Sequence, residues 1–161
     1  MARELTAYEV LDVAERMERN TARFYRRAAG LYGDPRIGKL FSELARWEKR
    51  HIQIIIEMKE HLSERTWELG YFGPERLDTD SSGLPNMVFD EHADPSKELT
   101  GKESKADVLR MAIQKEKDAI AYYTSLKEFV LGEQNVEAVD DIIQEEQRHV
   151  RILTQSLEQI T

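Results

Sequence analysis

The chain has 161 residues, 40 % hydrophobic and 34 % charged, with a formal net charge of −8 and no cysteine. That length provides core enough for one domain, and the acidic balance argues against nucleic acid as a partner. The missing cysteines exclude disulfides, cysteine-ligated iron centres and thiol catalysis.

Taken in order, Met1–Thr6 carries no apolar signal core, so a cytoplasmic protein is expected. Thr6-Ala7-Tyr8-Glu9 is a capping box flanked by Leu5 and Val10 as a hydrophobic staple, which predicts a helix over about 7–30. Within it Leu11, Ala14, Glu18, Thr21, Tyr25 and Ala28 are spaced alternately by three and four residues, one seam of a bundle helix. Asp34-Pro35 is an N-cap followed by proline at the first helical position, opening a second helix over about 35–68. Its seam is Phe41, Leu44, Glu48, His51, Ile55, Met58 and Leu62.

The pattern breaks over about 69–104, a stretch rich in glycine, proline and short polar residues. So long a link reads as a crossover, with Tyr71, Phe72, Met87, Val88 and Phe89 available to dock it on the bundle or on another subunit. Ser104-Lys105-Ala106-Asp107 restarts helix over about 105–131, with the seam Leu109, Ala112, Glu116, Ala119, Tyr123, Leu126 and Val130 and a stop at Gly132. Asn135 is the expected cap of a fourth helix over about 135–160, with the seam Val139, Ile142, Glu146, His149, Leu153, Ser156 and Ile160. No apolar run approaches the ~18 residues of a membrane-spanning helix. The expected fold is all-α: a four-helix bundle of two helical hairpins joined by a long crossover, in a single domain.

The hairpins form an internal repeat at an offset of 98 residues, pairing Glu18 with Glu116, Tyr25 with Tyr123, Glu48 with Glu146, and His51 with His149. Each half carries a Glu-x-x-His pair and a lone glutamate 30 residues before it. Two lone glutamates and two such pairs on four facing helices are the pattern of di-iron and di-manganese carboxylate bundles. Its physical basis is charge. A buried unpaired carboxylate strongly prefers to take up a proton, and four in one layer repel one another. Two divalent cations neutralise four glutamates, while each imidazole adds one nitrogen.

A lone seam glutamate is ordinarily a partner in a buried salt bridge, and a lone seam histidine a satisfied core residue. These seams hold no lysine or arginine, so that account fails for the set. The candidate metal ligands are therefore Glu18, Glu48, His51, Glu116, Glu146 and His149. Oxygen outnumbers nitrogen and thiolate is absent, which favours iron or manganese over a structural zinc site. Tyr25 and Tyr123 are read as core residues whose hydroxyls reach toward the carboxylates. Trp47 is expected to pack at the bundle edge, Arg50 and Arg148 to lie on a solvated face, and His61 and His92 to be surface residues. Glu43 and Glu145 are expected to be solvated or to act as stand-by carboxylates.

The run Met17–Tyr25, then Leu44–His51, resembles the first half of a rubrerythrin-type ferritin-like domain; Glu116 with Tyr122-Tyr123, then Glu145–His149, resembles the second. The resemblance covers all four helices but not residues 63–105. It implies a non-haem centre of two iron ions (Fe²⁺/Fe³⁺) held by those six residues and oxidised by hydrogen peroxide or dioxygen; manganese or zinc is the alternative occupant in purified protein. Full-length rubrerythrins carry a cysteine-ligated rubredoxin module. Without cysteine here, the expected electron donor is external. Thr21 and Ala119, three residues after Glu18 and Glu116, stand where an additional carboxylate is not found.

The expected function is thus an oxidoreductase reducing peroxide or dioxygen. The alternatives are a ferroxidase that binds and oxidises Fe²⁺ as substrate, a metal-stabilised binding bundle, and a hydroxylase of a larger substrate. A homodimer is expected, with exchange of hairpins between two chains as one form of it, and neither membrane nor nucleic acid as partner.

Overall fold

The computed structural model describes residues 7–68, 98–128, 130 and 132–161, with backbone only over 63–68. Four helices follow one another: α1 (Ala7–Leu31), α2 (Pro35–Glu68), α3 (Lys105–Leu126) and α4 (Glu133–Ile160). The expected docking residues Tyr71, Phe72, Met87, Val88 and Phe89 lie outside the described residues, as do Leu5, Thr6 and His92.

Local chemistry accounts for two of the helix starts. Asp34 accepts the Arg36 N–H on its side chain (3.0 Å) and the Gly38 N–H on its carbonyl (3.0 Å), which satisfies two donors at the start of α2. Ser104 accepts the Asp107 N–H at 3.1 Å and caps α3.

The α3–α4 turn departs from the expectation. α3 stops at Leu126, short of residue 131. The Lys127 N–H still reaches the Tyr123 carbonyl (3.1 Å), but Glu128 bonds to Ser125 (3.2 Å), a tightened last turn. Val130, expected on the helical seam, leaves the helix yet packs against the core around Val10 and Leu126. Asn135 does not cap α4. Gly132 occupies that place with φ +92°, a backbone that side chains rarely adopt, and its carbonyl takes the Val136 N–H at 3.1 Å. Reversing the chain in so few residues outweighed side-chain capping. At the far end of α4, Ile160 is 40 % exposed although it continues the seam, because the core closes at Leu153, with Leu157 packed against it.

α1 packs along α2 and α3 along α4, and the hairpins meet through α1 against α3 and α2 against α4. Tyr122 donates to the Val10 carbonyl at 2.8 Å, while Tyr25, near the other end of α1, reaches Glu116. α1 and α3 are therefore antiparallel, and α2 and α3 run the same way, so that the end of α2 and the start of α3 lie at opposite ends of the bundle. That is the crossover topology of a two-hairpin bundle. The last part of the link from α2 to α3 is tied to the end of α1: Arg27 donates to the Leu99 carbonyl at 3.1 Å and Tyr32 to the Glu103 carbonyl at 2.7 Å. Leu99 itself is 1 % exposed, wedged into the core cluster of Phe24, Phe41 and Leu109. A Leu99→Ala substitution is expected to cost about 2–5 kcal/mol, read as a lower urea midpoint at unchanged m.

The core divides into two apolar clusters. One surrounds Leu11, Met17, Ile55, Leu126 and Ile142; the other surrounds Phe24, Phe41, Leu44, Leu109 and Leu153. Between them lies a layer of buried charged residues.

Candidate metal centre

Each of the six seam residues is delivered by a different turn of a well-packed helix. Glu18 comes from α1, Glu48 and His51 from α2, Glu116 from α3, and Glu146 and His149 from α4. None is more than 2 % exposed. The Glu-x-x-His spacing sets carboxylate and imidazole on one face, one turn apart: His149 Nδ1 lies 2.8 Å from Glu146 Oε2, and His51 Nδ1 3.5 Å from Glu48 Oε2. Contacts also cross the bundle. His51 Nδ1 is 3.1 Å from Glu146 Oε1 and 3.8 Å from Glu18 Oε2, while His149 Nδ1 is 3.5 Å from Glu116 Oε1 and 3.6 Å from Glu48 Oε1.

Two sets of ligand-type atoms emerge, each gathered within 4.8 Å: Glu18, Glu48, His51 and Glu146, and Glu48, Glu116, Glu146 and His149. Glu48 and Glu146 belong to both. The middle of the cluster is therefore made of one carboxylate from each Glu-x-x-His pair, with a lone glutamate and a histidine on either flank.

The donor set fits a pair of divalent cations. Both oxygens of Glu48, Glu116 Oε2, Glu146 Oε1 and His51 Nδ1 are buried with no hydrogen-bond partner. Such groups carry the full cost of desolvation, roughly 1–3 kcal/mol each and more when charged. No lysine or arginine pairs with any of the six among the described residues. Oxygen-rich sites with one imidazole apiece suit iron or manganese.

Tyr25 and Tyr123 reach the carboxylates, as expected, but across the bundle. Tyr25 donates its hydroxyl to Glu116 Oε1, and Tyr123 donates to Glu18 Oε1. Each lone glutamate is thus held at one oxygen by the other half of the repeat. Burial, reinforced by the carboxylates, pushes both phenols well above their ordinary range, so they remain donors.

Two residues outside the six contact the ligand histidines in ways the sequence reading did not specify, and Arg148, exposed as expected, adds a third contact. Glu145, expected in solvent or as a stand-by carboxylate, accepts from His51 Nε2 at 2.9 Å. Trp47 does more than pack at an edge: its ring stacks on His149 at 4.9 Å with 9° between planes. Arg148 lies over that indole at 5.8 Å. Periodicity gave no sign of these contacts, which join α2 to α4 across about a hundred residues of chain. Arg50 and His61 are exposed, and Glu43 is partly buried.

The charges set a pH dependence. Burial, with repulsion from Glu146, raises the Glu48 and Glu116 carboxyls well above their ordinary range. Burial opposes protonation of His149, but Glu116 and Glu146 outweigh it and lift the imidazole to about 9; His51 is raised likewise, with Glu146, Glu18 and Glu48 as the opposing partners. Burial would also raise Glu146, but the hydrogen bond with His149 and the nearby His51 imidazole hold it well below its usual value. A cation can enter only by displacing protons from the raised groups. Affinity for a divalent ion is therefore expected to rise with pH up to about 9, where the His149 imidazole gives up its proton, with protons released on binding below that pH. Calorimetry in buffers of different ionisation enthalpy checks this; a pH-independent affinity would contradict it.

No protein-family model matches the sequence, nor does any curated protein. Among solved structures, one from Thermotoga maritima, provisionally described as a ferritin-like diiron-carboxylate protein, superposes with a TM-score of 0.78 at 27 % identity, covering 100 % of both chains. The chain has the ferritin-like fold. The likeness supports a place within the ferritin-like diiron proteins, and the ferritin-like bundle explains why the crossover and the buried polar layer occur together: the hairpins must pair in register to close that layer. No helix of the described residues is long and apolar enough to cross a membrane.

Proposed function

We propose that the chain is a rubrerythrin-like non-haem di-iron oxidoreductase that reduces hydrogen peroxide or dioxygen with electrons from an external donor. The observation that carries this reading is the sharing of Glu48 and Glu146 by two four-residue sets of buried side chains, five of whose atoms, both oxygens of Glu48 among them, have no hydrogen-bond partner. One ion would be held by Glu18 and His51, the other by Glu116 and His149, and Glu48 and Glu146 would serve both. Two iron ions so placed would supply one electron each on passing from ferrous to ferric, which with two protons would balance the reduction of one hydrogen peroxide to two waters, or of one dioxygen to hydrogen peroxide.

The protein's own residues do the rest. Tyr25 and Tyr123 fix one oxygen of each lone glutamate and leave the other, Oε2, for the centre. The apolar clusters on either side exclude water from the layer. With no cysteine in the chain, the reductant is a separate protein or small molecule.

The test is anaerobic loading with Fe²⁺ followed by separate pulses of peroxide and dioxygen. The proposal expects rapid oxidation of two irons per chain and renewed turnover when reductant is added, with iron retained. Fe³⁺ leaving the site with each new addition of Fe²⁺ would assign the protein to iron handling instead. A loaded but unreactive centre would make it a metal-stabilised bundle.

A further inference from the structure

The two halves of the repeat agree at all six buried positions but differ just before each Glu-x-x-His pair. Position 145 is glutamate; its equivalent, position 47, is tryptophan. The structure gives this difference a consequence. Glu145 Oε2 accepts from His51 Nε2 at 2.9 Å, so a proton is held on Nε2 and Nδ1 is the nitrogen turned toward Glu18, Glu48 and Glu146, available to a cation once any proton on it is displaced. Arg50 approaches Glu145 Oε1 from the outside at 3.9 Å. In the other half the equivalent arginine, Arg148, covers Trp47, and Trp47 in turn covers His149. The carboxylates beside His149, those of Glu48, Glu116 and Glu146, approach its Nδ1, and no contact equivalent to that of Glu145 with Nε2 is found among the described residues. One imidazole is oriented by a charged acceptor, the other by a stacked ring.

A carboxylate on the outer nitrogen of a ligating histidine fixes its tautomer and raises its basicity toward the metal. We propose, resting on the two-metal reading above, that Glu145 is a positioning residue that makes the two cation pockets unequal: the pocket of Glu18 and His51 fills first, and the pocket of Glu116 and His149 second. The inequality lies outside the six buried residues, which are matched in kind between halves. It follows that the repeat is symmetric in its donor atoms and asymmetric in affinity.

Calorimetric titration of the full chain with Co²⁺ tests this without recourse to activity. The native protein should bind two ions in two resolved steps. Glu116→Ala should keep a step with the tighter constant, and Glu18→Ala one with the weaker, which assigns each step to its pocket. Glu145→Ala should weaken the tighter step by roughly 10–100-fold and leave the weaker one in place. Glu145→Gln, which keeps an acceptor at Nε2, should recover most of that loss. Trp47→Glu, which supplies the missing carboxylate, should bring the two constants together. Two ions bound with equal constants, or both constants unmoved in Glu145→Ala, would overturn the inequality while leaving the two-metal reading intact. Failure of the native protein to bind Co²⁺, Mn²⁺ or Fe²⁺ at all would remove both.

Discussion

A Glu48→Ala variant is expected to hold neither of two divalent ions, whereas Glu18→Ala and Glu116→Ala are each expected to retain one. The difference follows from geometry. Glu48 and Glu146 lie in both sets of convergent atoms, and Glu18 and Glu116 in one each. Removing a shared carboxylate strips an oxygen donor from both pockets and leaves positive charge without balance in a dry layer. The loss of affinity should exceed the roughly 10–100-fold that follows removal of an outer-sphere partner. Glu146→Ala should behave like Glu48→Ala. Metal content after equilibrium dialysis, with helix content followed by circular dichroism, separates the cases. Two ions per chain retained in Glu48→Ala would mean that the central carboxylates do not bridge the pockets.

The second large effect is on stability, and its sign reverses with metal. Glu48 is fully buried with neither carboxylate oxygen hydrogen-bonded. Burial, then repulsion from Glu146, Glu18 and Glu116, raises its carboxyl. A carboxyl raised by folding favours the folded state below its ordinary pKa and loses that contribution as pH rises through the higher folded value. At neutral pH, without cations, Glu48 is therefore a burden. Glu48→Met, which keeps volume and discards charge, should stabilise the metal-free protein by about 1–3 kcal/mol, at roughly 2–4 °C in Tm per kcal/mol. The native chain should gain about 4 kcal/mol from an ion at a thousand times its Kd, and Glu48→Met should gain almost none. Thermal melts with and without Mn²⁺ provide the comparison. A native Tm indifferent to metal, or a destabilised Glu48→Met, would contradict the account. The buried carboxylates would then be tolerated for some other reason.

Much of this was legible in the chain because helical bundles write their burial pattern as a local period. The alternation of three and four residues put Glu18, Glu48, His51, Glu116, Glu146 and His149 among apolar neighbours, and all six are buried. Asp34 and Ser104 cap α2 and α3 through contacts two to four residues away, which is why those starts could be read directly. The α3–α4 turn was not legible. A seam at Val130 and a polar Asn135 favoured one more turn of α3 and a later α4, but closing the hairpin required Gly132 at positive φ, and Val130 found its burial outside the helix. The contact of Glu145 with His51 was not legible for another reason. Glu145 lies off the seam, and only the approach of α2 to α4 puts it beside His51.

Periodicity, capping and the 98-residue repeat determined that there would be four helices, in two hairpins, with six polar side chains turned inward. Those are properties of one helix at a time, set by the angle between successive side chains. Only the tertiary structure decided which groups meet: Glu48 and Glu146 at the centre, Tyr25 on Glu116 and Tyr123 on Glu18, Glu145 on one histidine and Trp47 on the other. Each of these contacts joins different helices, so its existence depends on how helices are rotated and staggered against one another. A repeat pattern carries no information on that until the cores interlock.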